Sequence, residues 1–224
     1  MTASVRLLVR AMNPKWKSRI VSRLRSKFIS MGIWRTAGYV IFTVVLERVG
    51  FHLNYVFQRQ MNCSGLPDFP AGFSARVARQ MIDLSEQDRI GLIRYGGTSL
   101  MQGFHKAFAL GRVCIIMHSP ADELAAVCWA EKVDAFAPCT DAPCVLIARC
   151  FTLPQFRGMG LYPSVLSAVD HLIPDEMSCL GITVIECSAF NYPSRNGILK
   201  AGFHVCGMAV EIGRRRIAWR KKRT

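Results

Sequence analysis

Val145-Leu146-Ile147-Ala148-Arg149-Cys150-Phe151-Thr152-Leu153-Pro154, followed directly by Gln155-Phe156-Arg157-Gly158-Met159-Gly160-Leu161-Tyr162, is the stretch whose reading decides the fold. The first part is an apolar run of strand length and reads as a buried strand. It passes through Pro154 into a loop with two glycines, and a helix is predicted from about Gly158 to Ile173, where Pro174-Asp175 breaks it. Glycines let a backbone approach a ligand closely. The first turn of a helix leaves amide N–H groups unpaired at the positive end of its dipole. With the fixed charge of Arg157, strand, loop and helix together make an anion site that suits a phosphate. A lone Gly-x-Gly is a common turn; the strand before it and the helix after it give this one its specificity.

Outward from that unit, strands alternate with helices. Upstream, strands are predicted at 73–79, 112–118 and 124–132, and helices at 85–95 (Ser85 as cap) and 99–110; Ala137–Pro143 is a Pro/Asp-rich connection. Downstream, a strand is predicted at 181–188, a short helix at 193–200, and a strand pair at 203–206 and 208–212. The pattern predicts an α/β (α+β) fold, a mixed central sheet flanked by helices.

These motifs resemble the GNAT superfamily of acyl-CoA N-acyltransferases over about residues 73–212. Gln155–Gly160 matches the Q/R-x-x-G-x-G/A signature, and Asn191, Ser194, Lys200, Gly202 and Phe203 match a second one in the right order and distance. The resemblance implies acetyl-CoA or a longer acyl-CoA as donor. It assigns the pantetheine arm to Phe151 and Thr152, the pyrophosphate to the loop Gln155, Phe156, Arg157, Gly158, Met159, Gly160 and Leu161, and further donor contacts to Asn191 and Ser194. The chain departs from the family at one point. The Tyr that many members carry seven residues after the strand-end Asn, as acid for the leaving thiolate, is Ile198 here. Tyr192 and Tyr162 are nearby phenols, and Glu186, Glu131 and His118 are candidate bases; of these Glu186 and Tyr192 are taken as the catalytic pair. A frequent carboxylate position on the motif strand is Cys144.

The charge is unevenly placed. The net charge is +14, yet residues 1–46 carry nine Lys/Arg and no acid, and Arg214–Thr224 carry seven more, leaving residues 47–213 at −2. Basic ends attract polyanions, whether lipid headgroups or nucleic acid. After Asn13-Pro14, the residues Trp16, Ile20, Leu24 and Phe28 recur every four positions among Lys15, Arg19, Arg23 and Lys27, the pattern of a basic amphipathic helix lying in a membrane interface. Ala37–Leu46 is apolar but would rise only about 15 Å as a helix, too short to span a bilayer. Residues 1–50 are therefore assigned to a membrane-associating segment, 51–72 to a connection, 73–213 to the acyltransferase domain and 214–224 to a basic tail. The nine cysteines, with no secretory signal before them, read as buried hydrophobes in a reducing compartment; no metal site is expected. The location that follows is cytoplasmic and peripheral on the inner membrane face, with a mitochondrial presequence as the lesser alternative.

The resulting expectation is an enzyme that moves an acyl group to an amine, an amino sugar or a lipid-linked acceptor, by analogy with envelope polysaccharide-pathway members of the family. Two rivals are a non-catalytic acyl-CoA-binding scaffold, suggested by Ile198, and a nucleic-acid-associated acyltransferase using the basic ends. The apolar stripe at 16–31 favours lipid over nucleic acid. Acceptor, acyl length and oligomeric state are not encoded in these motifs.

Overall fold

The computed structural model describes residues 51–61, 69–173, 177, 180–213 and 215–220, so the expected helix at 14–31 and the apolar run at 37–46 lie outside the described residues. Nearly all described residues belong to one compact unit, Leu53–Val210 with Arg216–Thr224. Its eight strands are β1 (Phe51–Gln60), β2 (Ser74–Ala78), β3 (Val113–His118), β4 (Leu124–Val133), β5 (Cys144–Thr152), β6 (Ile182–Ser188), β7 (His204–Ile212) and β8 (Arg215–Arg220). They form a single mixed sheet in the order β2-β3-β4-β5-β6-β1-β7-β8, and helices α1 (Glu86–Ala109), α2 (Leu161–Leu172) and α3 (Tyr192–Lys200) cover it. None of the described helices is long and apolar enough to cross a membrane.

Strand β3 is buried along its whole length because it is covered on both faces, so it reads as an unbroken apolar run rather than an alternation. On one face α2 buries Leu161, Val165, Leu166, Ala168 and Val169 against Phe57, Ile115, Ile147 and Ile185. On the other, Leu92 and Phe104 of α1 close over Cys114, Ile116, Val127 and Trp129, with the rings of Phe104 and Phe108 packed edge-on to Trp129 at 4.8 and 4.9 Å. Ser85 caps α1 in a reciprocal box with Asp88. Gly97, with φ of 68° and ψ of −167°, is not helical and divides α1 into two helical stretches that meet at a kink, in keeping with the two helices expected at 85–95 and 99–110.

Several expectations need correction. The connecting segment 51–72 contains β1, which pairs antiparallel with β6 from Asn54↔Ser188 to Gln60↔Ile182 and sits inside the sheet. The basic tail 214–224 contains β8. Only Ala218 of this strand packs against the core, and its arginines stay exposed, so composition reads it as solvated charge. Arg216 donates to Glu186, and Arg220 to the carbonyls of Pro138 and Cys139. The expected strand pair at 203–212 is the single strand β7. Cys139 and Cys206, 67 residues apart in sequence, form a disulfide with Cα atoms 5.5 Å apart, against the expectation of thiols throughout. Five other described cysteines are free thiols.

One buried ion pair fastens α2 to the sheet. Asp170, 4% exposed, accepts from Arg59 Nη2 at 2.8 Å and from the Thr183 hydroxyl at 3.2 Å. Arg59 also donates to the Ala201 carbonyl and lies 4.4 Å over the Phe203 ring. Removing one partner strands a buried charge, which typically costs 3–5 kcal/mol. Asp170→Ala is expected to lose about 3 kcal/mol in urea denaturation, whereas a change below about 0.5 kcal/mol would show the pair to be solvated.

Candidate active site

The site begins where two neighbouring strands part. β5 and β6 pair in parallel only over Val145–Ile147 and Thr183–Ile185. Past Ile147, β5 carries a bulge: Trp129 faces Ala148 and Val127 faces Phe151, so Arg149 and Cys150 together oppose Cys128 alone. Arg149 takes a left-handed φ of 51° to make the extra step. The strand bends away from β6 and a cleft of about 200 Å³ opens, floored by Ile147–Cys150 and Ile185–Ser188 and roofed by Tyr162, Asn191 and Ser194.

At its outer end β5 delivers the chain into the glycine loop. Gly158 and Gly160 have φ of 85° and 76°, and open space lies where a Cβ would stand on either. These left-handed turns explain why α2 begins at Leu161 rather than near Gly158. Among the described residues, the amides of Gly158, Met159, Gly160, Leu161 and Tyr162 have no acceptor; the first bond into the helix is from Ser164 to the Gly160 carbonyl. The Thr152 hydroxyl is buried with no partner. An unpaired hydroxyl at the end of β5 and a row of unpaired amides at the start of α2 suit a ligand with hydrogen-bonding groups and a terminal anion. This is the shape of demand that a pantetheine arm and a pyrophosphate would meet.

The other loop residues divide. Phe156 and Leu161 are anchors, the first edge-on to Phe73 at 6.2 Å and the second 1% exposed in the core. Gln155, Arg157 and Met159 are exposed, and Arg157 Nε donates to the Thr152 carbonyl at 3.2 Å, which holds its charge beside the loop. Phe151 stacks on Tyr95 of α1 at 4.7 Å.

Of the two phenols, Tyr162 lines the cleft and Tyr192 does not. Tyr192 opens α3 beside the Arg195 guanidinium, 5.3 Å from its ring centre. Tyr162 is packed so closely on the α3 backbone that a Cβ on Gly197 would lie 3.0 Å from its Cε1 and nearer still to Cδ1. Burial, with the neighbouring thiols of Cys150, Cys187 and Cys128, pushes the Tyr162 hydroxyl well above the usual phenol range, opposed by its bond to the Ser194 side chain. Asn191 in turn donates to Ser194 at 2.7 Å. Ile198 is fully buried in the core, so the position the resemblance gives to an acid is a packing position here.

Glu186 is the carboxylate of the cleft lining, but both its oxygens accept from Arg216, at 2.9 and 2.8 Å, and one also accepts from Asn54 at 2.7 Å. Glu131 is bonded to Arg112 and His118 to Asp88, and neither lines the cleft. The Cys144 thiol is buried and its pKa is raised to about 11 by that burial. Sequence reasoning placed Cys150 and Cys187 in the apolar background; the bulge at Arg149, which carries no sequence signal, brings Cys150 to the cleft.

No protein-family model and no curated protein matches this sequence. Solved structures do match. A GCN5-related N-acetyltransferase from Sphaerobacter thermophilus is 15% identical with a TM-score of 0.51, the match covering 83% of this chain and 57% of that one. The fold is that of the GNAT acetyltransferases. A functionally unknown conserved protein from Staphylococcus epidermidis also has a TM-score of 0.51, at 9% identity over 75% of this chain and 65% of its own. An acetyltransferase of the GNAT family from Colwellia psychrerythraea is 13% identical, with a TM-score of 0.47 and coverage of 76% and 57%. The chain thus spans less than two thirds of the length of each of these proteins.

Proposed function

We propose that the protein is an acyl-CoA-dependent N-acyltransferase, which transfers an acetyl or longer acyl group to an amine. The observation that carries this reading is the row of unpaired amides at 158–162, which the chain reaches directly after the strand β5 that floors the cleft. Acyl-CoA would supply a thioester already activated for attack. The amides of 158–162, with Arg157 beside them, would hold its pyrophosphate, while Thr152 and the free backbone edge of β5 would take the amide-bearing arm. A cleft of about 200 Å³ suits the thioester end alone.

Transfer to an amine then depends on positioning and on the proton inventory. Tyr162 is held protonated by burial and stands over the cleft, so its hydroxyl is placed to give a proton to a sulfur leaving there. Ser194 and Asn191 fix that hydroxyl from the α3 side. Glu186, clamped by Arg216 and Asn54, is a fixed carboxylate on the wall of the cleft, its charge already met by Arg216, and would take up the acceptor's proton through water. We assign Tyr192 a place beside the acceptor entrance rather than at the sulfur.

The basic, amphipathic pattern of residues 14–31 supports an acceptor at an anionic membrane surface, an amino sugar or lipid-linked amine, with the enzyme peripheral to it. Release of free coenzyme A thiol from acetyl-CoA and longer acyl-CoA, measured over a panel of amines and amino sugars with and without anionic vesicles, tests the proposal. Turnover that depends on an added amine is the expected result; tight binding of acyl-CoA without turnover for any amine would identify a scaffold instead.

A further inference from the structure

The bulge at Arg149 has a second effect: it sets Cys150, in the lining of the cleft, against the buried thiol of Cys128. The Cys150 thiol donates to the Cys128 sulfur at 3.0 Å, across β5 and β4. We propose that Cys150 and Cys128 are an attacking and a resolving thiol that accept a low-molecular-weight disulfide, coenzyme A disulfide being the one this cleft admits. The choice of that disulfide rests on the reading of the cleft as an acyl-CoA site; the pairing of the thiols does not.

The division of labour follows from access. Cys150 is half-buried and lines the cleft, whereas Cys128 is fully buried beneath it. Burial, the bond from Cys150 and the nearby thiol of Cys114 all hold the Cys128 proton in place, so Cys128 does not attack from solvent. It has only to close on a neighbour: a disulfide bond of about 2.05 Å requires an approach of roughly 1 Å from the present separation. Cys187, on the β6 wall of the same cleft, donates to the carbonyls of Ser188 and Asn191. Tyr162 lines the same cleft as Cys150 and Cys187.

The small disulfide is itself the oxidant, and it takes up two electrons from the thiol pair. The Cys150 thiolate attacks one sulfur of the disulfide, the sulfur–sulfur bond breaks, and one small thiol leaves with a proton from solvent. Cys128 then gives up its proton and attacks the Cys150 sulfur, and the second small thiol leaves with that proton. One small disulfide is reduced to two thiols while two protein thiols are oxidised to one disulfide. In the intermediate state the cleft is filled by the group attached to Cys150, so an acyl thioester is excluded from it.

The test uses the full reduced chain, incubated with coenzyme A disulfide or with glutathione disulfide and followed by whole-protein mass spectrometry and peptide mapping without reductant. Wild type is expected to gain and then lose one coenzyme A, and to end with the Cys128 and Cys150 peptides linked. Cys128→Ser, or Cys128→Ala if the serine does not fold, is expected to accumulate one coenzyme A on Cys150. Cys150→Ser is expected to take up at least tenfold less. Linked peptides that never appear in wild type, or an adduct that forms equally in Cys150→Ser, would overturn the proposal. Linkage that forms as fast with glutathione disulfide upholds the thiol pair and counts against the coenzyme A reading of the cleft, so the two failures are distinguishable.

Discussion

Gly158→Asp is expected to lower coenzyme A affinity by at least about a hundredfold while the protein stays folded. The Gly158 φ of 85° is one that Asp and Asn tolerate better than other side chains, and no atom lies within 4 Å of the place its Cβ would take. The fold therefore bears the change. The added carboxylate stands among the amides of 158–162, where the pyrophosphate would lie. Two like charges about 4 Å apart at an effective dielectric near 20 repel by about 4 kcal/mol, and each 1.4 kcal/mol is tenfold in affinity. Gly158→Asn is the matched control, similar in shape and without the charge, and is expected to lose less than about tenfold. Isothermal titration of the two variants separates charge from shape. Equal affinities for the Asp and Asn variants would show that no anion binds at the loop.

Tyr162→Phe is expected to lower kcat by about a hundredfold with KM for the acyl donor changed less than about threefold, the lower end of what general acid catalysis contributes. Tyr192→Phe is expected to cost less than about tenfold. Only Tyr162 lines the cleft, and its ring is held in place by the α3 backbone at Gly197. Because burial raises its pKa above the ordinary phenol value, the protonated form persists as pH rises through about 10, where a free tyrosine would ionise. The wild-type rate should accordingly show no fall that tracks phenol ionisation up to that pH. A hundredfold loss in Tyr192→Phe with Tyr162→Phe unaffected would exchange the two roles.

Much of the fold could be read from local pattern because the decisive chemistry is contiguous. The strand, glycine loop and helix of 145–172 announce themselves by an apolar run, two glycines and a periodic apolar face, and the short helix after Asn191 by its proline and the Gly202 that follows. What escaped depends on long-range pairing. β1 has no turn signals tying it to its neighbours, and its partner β6 lies more than 120 residues away. β8 looks like a charged tail because its arginines are exposed, and nothing local in sequence announces that Arg216 bonds Glu186 and Arg220 the carbonyls of the 136–143 connection. The cleft itself depends on one non-glycine residue, Arg149, in a left-handed conformation, which no residue preference would have located. For the same reason Tyr192, next in sequence to the strand-end Asn191, stands out over Tyr162, which the fold brings to the cleft. Glu186 was legible as an acid but not as one already clamped by Arg216 and Asn54.

The central claim is that acyl-CoA lies along β5 with its pyrophosphate on the first turn of α2. Amide chemical shifts of the ¹⁵N-labelled full chain, titrated with coenzyme A, address it most directly. The account predicts that the largest shifts fall on Gly158, Met159, Gly160, Leu161 and Tyr162, with a second group at Phe151 and Thr152. Shifts confined to other residues, with those seven amides unmoved at saturation, would contradict it.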